Sequence, residues 1–181
     1  MTNIEFLKVS FDAYAKAKME DIEFLMEHSS SYTDDGLYVE KYKKENGVWR
    51  SYYIRADDTV TDSVLQKEYD GIRLPERATP CSAGYDFYMP FDACIESHSS
   101  IRIQTGIRCR MDTGVVLMLF PQKDLSYRYG MRFAETLCVI DGAYNLNSEG
   151  HILIRLENPS EENIWLAAGD VFAQGIFFPH F

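Results

Sequence analysis

The spacing of apolar residues changes character along the chain. Residues 4–9 are the first strand candidate. From Phe11 onward Phe11, Ala15, Met19, Ile22, Leu25 and Met26 recur three or four apart, which predicts a helix with those residues on its packed face and Ser10 as its cap. The sequence then turns polar through residues 28–36 and stays charged to about Asp70, with an extended piece over 49–54. Residues 11–70 are expected to form a helical and hairpin insertion within a single domain spanning 1–181, and they carry no chemical motif.

After Ile72 short strands alternate with turns. In residues 100–109 Ile101 and Ile103 point one way, Arg102 and Gln104 the other. Residues 115–120 are continuously apolar and stop at Pro121. Residues 151–157 alternate strictly, with Ile152, Ile154 and Leu156 inward and Leu153, Arg155 and Glu157 outward. A last apolar run covers 171–178. Strands at this spacing predict an all-β sandwich or barrel of the jelly-roll kind. One short helix interrupts them, with Asp124 as cap, residues 125–129 as body and Gly130 as stop.

At 181 residues the chain suits one domain with a substantial core. It has no run approaching the ~20 apolar residues of a membrane span. Its start, MTNIEFLKVSF, lacks a basic segment leading into an apolar one, which argues against a secretory signal. Four cysteines without C-x-x-C spacing read as small buried thiols in a reducing cytoplasm. A net charge of -10 opposes non-specific nucleic-acid binding, but permits an anionic small substrate that arrives with a metal cation.

Three loops carry candidate chemistry. Residues 78–86 (ATPCSAGYD) are small enough to let backbone approach a ligand or another chain, or to form a plain β-turn. Residues 121–124 (PQKD) sit where a helix N-terminus offers free N–H groups to phosphate, or is simply capped. In ETLCVIDGAY, residues 135–144, a strand delivers Asp141 to a turn ahead of Tyr144, as a turn former or as a working acid.

Taken in order, these loops resemble the trimeric deoxyuridine triphosphate diphosphatases (dUTPases). The segment from Leu74 to Thr79 leading into SAGYD looks like the family's first motif, and Thr105-Gly106-Ile107 like the strand turn after it. Pro121 with Leu125 and Tyr129-Gly130 holds the place of the second motif. Val139-Ile140-Asp141 with Tyr144 is similar to the third, and Gly169-Asp170 with Ala173-Gln174 to the fourth. The longer turn over 145–151 looks like an extended-hairpin branch. The resemblance implies a homotrimeric jelly-roll barrel with shared sites that converts dUTP and Mg2+ to dUMP and pyrophosphate, without membrane or nucleic-acid partners. It implies that Asp141 deprotonates the attacking water and that Tyr144 lies against the deoxyribose. The backbone of Ile140 and Gly142 would read uracil, and Gln174 would contact phosphate. Asp86 would support the metal through water, jointly with Asp141.

The second motif departs from the family pattern of Pro-Arg-Ser. Gln122 replaces a bracing arginine, Lys123 a phosphate-binding serine, and Asp124 puts a carboxylate where phosphate is expected. Two anions ~4 Å apart repel by about 1–4 kcal/mol, so Lys123 is expected to pair with Asp124 or to bind phosphate as a point charge. Ala143 stands where the third motif usually has a second acid, and nothing in the sequence matches the family's glycine-rich fifth motif. The alternative expectation is therefore a catalytically degenerate member that binds nucleotide or serves a regulatory or interaction role. Deoxycytidine triphosphate deamination, on the same fold, is disfavoured because the inward positions after the hairpin are Ile152, Ile154 and Leu156.

Overall fold

The N-terminal segment wraps one side of a barrel, and its own pairing shows how. The computed structural model describes residues 4–28, 32–33, 36–146 and 148–180. Strand β1 (Ile4–Lys8) leads into helix α1 (Phe11–His28). The short β2 (Tyr32–Thr33), β3 (Gly36–Glu45) and β4 (Val48–Arg55) form a meander, followed by helices α2 (Ala56–Thr59) and α3 (Asp62–Gly71). The Ser10 hydroxyl accepts the Ala13 N–H at 3.1 Å, so it caps α1 as expected.

The packed face of α1 is not the expected one. Tyr14, Ala17 and Lys18 are buried, while Met19 is 48% and Phe24 50% exposed. Glu68 on α3 explains the rotation. It accepts the Tyr14 hydroxyl at 3.0 Å and pairs with Lys18 Nζ at 2.8 Å, and that ammonium lies 3.7 Å from the centre of the Phe91 ring. With their polar ends satisfied, the tyrosine ring and lysine stem bury well.

The barrel comprises β5 (Tyr85–Tyr88), β6 (Ala93–Ile95), β7 (Ser99–Gln104), β8 (Ile107–Met111), β9 (Val115–Pro121), α4 (Lys123–Tyr129), β10 (Arg132–Phe133), β11 (Cys138–Ile140), β12 (Leu153–Asn158), β13 (Ile164–Leu166) and β14 (Val171–Pro179). Its largest sheet has the order β11-β9-β14-β5, and a second runs β10-β12-β7. All of these pairings are antiparallel. Ile152, Ile154 and Leu156 face the core as expected, with Phe87, Leu117, Leu119, Ile140 and Phe172. Gln104, expected outward, is buried. The helix α1 lies over β7, so this sheet is covered on both faces, and Arg102 meets Asp21 of that helix at 3.7 Å.

Outward positions of the largest sheet are apolar as well. Val139 pairs with Met118, which pairs with Ile176, while Val116 pairs with Phe178 and Phe120 with Gln174. Directly paired residues share a sheet face, so these side chains form one continuous outer surface. Val139 is 49% and Phe178 38% exposed. None of the four cysteines is joined in a disulfide; Cys81 is exposed, not buried as expected, and burial pushes Cys109 up to about 12.

Candidate active site

Asp141 follows the last residue of β11, Ile140, which is buried and paired with Leu117. The strand ends there because the chain turns into a 3-10 helix, Gly142–Leu146. Asp141 Oδ1 accepts the backbone N–H groups of Ala143 at 3.0 Å and Tyr144 at 3.1 Å. The carboxylate thus caps the helix that follows it. Its other oxygen has no partner among the described residues, and the side chain is exposed. One oxygen is held and the other is presented to solvent.

Tyr144 is half-buried, not exposed as its context in the sequence implies. It packs against the core, and its hydroxyl donates to the His151 carbonyl at 3.0 Å. Burial raises its phenol above the ordinary value. His151 is itself buried, and Nε2 accepts the Gly106 N–H at 2.9 Å. That bond places the ring proton on Nδ1. Burial, with the Arg102 charge second, pulls His151 down to about 4. Thr105 completes the lattice: its hydroxyl donates to the Ile152 carbonyl at 2.7 Å and accepts the Ile107 N–H at 3.1 Å. His151 escaped the sequence reading because a lone histidine beside a strand gives no signal. The Thr105-Gly106 turn, which was visible, is its partner.

A second group gathers elsewhere on the barrel. Gln174 stands opposite Asp86 in the β14–β5 ladder, and its Nε2 donates to Asp86 Oδ1 at 3.1 Å. The Gln174 side chain crosses Gly84 so closely that a Cβ there would meet Cγ at 2.3 Å. Only glycine leaves room. The loop before it is a tight turn, in which Thr79 N–H donates to Ser82 Oγ at 3.1 Å and Ser82 N–H to the Thr79 carbonyl at 3.0 Å.

The second motif joins this group through Gln122, whose N–H donates to the Phe172 carbonyl at 2.9 Å. Gln122, not Asp124, caps α4: its Oε1 accepts the Leu125 N–H at 2.9 Å. Gly130 ends the helix in the left-handed conformation (φ 68°) as expected. The expected Lys123–Asp124 ion pair does not form. Lys123 is exposed, and Asp124 borders a cleft of about 340 Å³ with Arg128, Tyr129 and Asn163.

The two groups are far apart within one chain. Asp86, Gln174 and Phe120 share one row of the sheet, whereas Asp141 lies beyond Ile140, which is level with Leu117 and Phe177. Three strand spacings and about four residues of rise give roughly 20 Å between the two acids. One chain therefore does not bring Asp86 and Asp141 together. Among the described residues no three or more His, Cys, Asp or Glu side chains cluster as a metal site. Asp86 has one oxygen engaged by Gln174, a donor set that suits a hydrated cation held mostly by its ligand.

Residues 70–181 match the family model described as dUTPase. The chain belongs to the dUTPase family. Among curated relatives, the deoxyuridine 5'-triphosphate nucleotidohydrolase of Lactococcus lactis subsp. lactis (strain IL1403) is 30% identical over 111 residues, covering 60% of this chain and 74% of the relative. That of Desulfitobacterium hafniense (strain DSM 10664 / DCB-2) is 33% identical over 112 residues, covering 60% and 72%. The solved dUTPase of Streptococcus mutans superposes with a TM-score of 0.55 at 32% identity, over 62% of this chain and 88% of that one. A mutant dUTPase of phage phi11 of S. aureus, described for its coordination of a structural Mg(II) ion, shares the fold at a TM-score of 0.53 and 20% identity, over 62% and 86%. Helix α1 and the β3–β4 hairpin precede the part of the chain that the dUTPase family model matches.

Proposed function

We propose that this protein hydrolyses dUTP to dUMP and pyrophosphate, with Asp141 as general base, in sites shared between the subunits of a homotrimer. The observation that carries the reading is the held carboxylate. Two backbone N–H groups fix Oδ1 and leave the second oxygen open to orient a water and take its proton. Phosphoryl transfer depends more on such alignment and on dispersed charge than on a protein nucleophile.

Around it, the backbone of Ile140 and Gly142 would bind uracil, and the Tyr144 ring would lie against the deoxyribose, where a 2′-hydroxyl has no room. A second subunit would bring Gln174 to the phosphates, Asp86 to the metal's water shell, and Gln122, Lys123 and Asp124 to the phosphate end. Bound Mg2+ would neutralise triphosphate charge. The separation of Asp141 from Gln174 and the apolar outer sheet both support assembly. The 11–70 segment belongs, in this reading, to the same single domain. Among the described residues no helix is long and apolar enough to cross a membrane.

The test is pyrophosphate release from dUTP with and without Mg2+. Absence of turnover at high enzyme concentration would sink the proposal. One observation favours the second reading, a nucleotide-binding or regulatory role: Gln122, at the place of the bracing arginine, caps its own helix. Calorimetric titration with a non-hydrolysable dUTP analogue, alongside the turnover assay, separates the two.

A further inference from the structure

The N-terminal insertion does not simply lie on the barrel. Between the β3–β4 hairpin, helix α3 and the loop from Pro90 to Asp92 there is an open cavity of about 620 Å³, within the range of small-molecule sites. Its walls come from both parts of the chain, and Asp92 holds them together. Oδ2 accepts the Lys44 N–H of the hairpin at 3.0 Å, and Oδ1 accepts the Ala168 N–H of the barrel at 2.7 Å. The Tyr42 and Trp49 rings meet Trp165 of the barrel at 5.1 Å each, a second tie between hairpin and barrel.

The lining combines planar apolar surface with more cationic than anionic side chains. Tyr52, Ile54, Val64 and Phe91 supply the surface, and Lys41 and Lys67 the charge. Neither lysine has a salt-bridge partner among the described residues. The two cavity acids are already engaged: Asp92 by the two N–H groups above, and Glu68 by Tyr14 and Lys18. Lys18 sits beneath the floor, its ammonium over Phe91. Burial, opposed by Glu68 and reinforced by the nearby Lys41 charge, lowers Lys18 to about 8. In a chain of net charge -10, two lysines without salt-bridge partners among the described residues, on one cavity wall set with aromatic rings, stand out.

We propose that this cavity is a second ligand site, separate from the active site, for a small molecule that joins a planar ring to an anionic group, of nucleoside monophosphate size. The ring would lie against Tyr52 and Phe91, and the anion would reach Lys41 and Lys67. The phosphate-ligand lysines are flexible point charges, so the site would tolerate variation in the anion more than loss of it. The site is made jointly by the 11–70 segment and the adjoining barrel loops, and it does not depend on dUTP turnover.

AMP is the appropriate probe, because its purine differs from the pyrimidine proposed for the active site. Calorimetry on the whole protein should show saturable AMP binding, with adenosine and inorganic phosphate each weaker by roughly tenfold or more. The K41M/K67E variant, which removes the charge of the half-buried Lys41 and reverses that of the exposed Lys67, should lose at least about tenfold in AMP affinity while keeping its dUTP turnover. Y52A should weaken AMP without changing inorganic phosphate. Absence of saturable AMP binding to the native protein overturns the proposal. So does AMP binding that survives K41M/K67E unchanged.

Discussion

Glu149 holds the start of helix α1 from the far side of the chain: its carboxylate accepts the Ser10 N–H at 2.9 Å and the Ser10 hydroxyl at 2.6 Å. Ser10 in turn caps the helix through Ala13. These bonds to the ionised acid lower the Glu149 value. A depressed carboxylate contributes stability above its unfolded value, and that contribution is lost as pH falls through the folded one. S10A should cost about 1 kcal/mol, and E149Q should flatten the acid limb of a plot of urea midpoint against pH.

His151 gives a separate acid sensitivity. The unfolded imidazole takes its proton near 6.5, whereas the folded one does so at about 4. The unfolded state therefore binds more protons between those values, and stability falls as pH drops from 6.5 towards 4, by up to ~3 kcal/mol. H151Q should remove most of that slope in chemical denaturation. An unchanged slope would show that the buried imidazole of His151 is not its source.

Replacing Asp141 by asparagine should leave the fold intact, because the amide oxygen can still accept from Ala143 and Tyr144. It removes the base. Turnover of dUTP should fall by roughly 10²–10⁴, with a melting temperature close to that of the native protein. A D141N variant with near-native turnover would transfer the base role elsewhere.

The roughly 20 Å between the two acidic groups makes a prediction about mixtures. D141N and Q174A protomers, each impaired alone, should regain activity when unfolded and refolded together. With sites built from two subunits, about a quarter combine an intact Asp141 with an intact Gln174. A site contained in one chain would regain nothing.

G84A tests the close approach at the first motif. The added methyl would meet Gln174 Cγ at 2.3 Å and Cδ at 2.4 Å, so the side chain must leave Asp86. A rise in KM of roughly tenfold is expected. G84A/Q174A should be no worse than G84A, since both changes remove the same contact.

Local grammar made much of the fold legible. Ile154 and Leu156 gave the inward face of β12, with Ile152 just ahead of it, Gly130 the stop of α4, and Ser10 the start of α1. The errors came where polar groups bury. Tyr14 and Lys18 rotate α1 only because Glu68, fifty residues later, meets both of them. Gln104 is covered because that helix lies on its sheet. The Gln122 cap was misassigned by two positions, since glutamine is not a residue favoured at a helix start. At the site, Asp141 and Tyr144 were visible because one turn holds them. The Gln174–Asp86 bond spans 88 residues and depends on a strand pairing that no local pattern records.

The outer face formed by Val139, Met118, Ile176 and Phe178 bears on how the purified protein will behave. An isolated protomer would leave that surface wetted, so folding and self-association become linked through concentration. Specific activity should decline on dilution. Thermal midpoints should rise with protein concentration, and an assay run at nanomolar enzyme could mistake a dissociated sample for an inactive one.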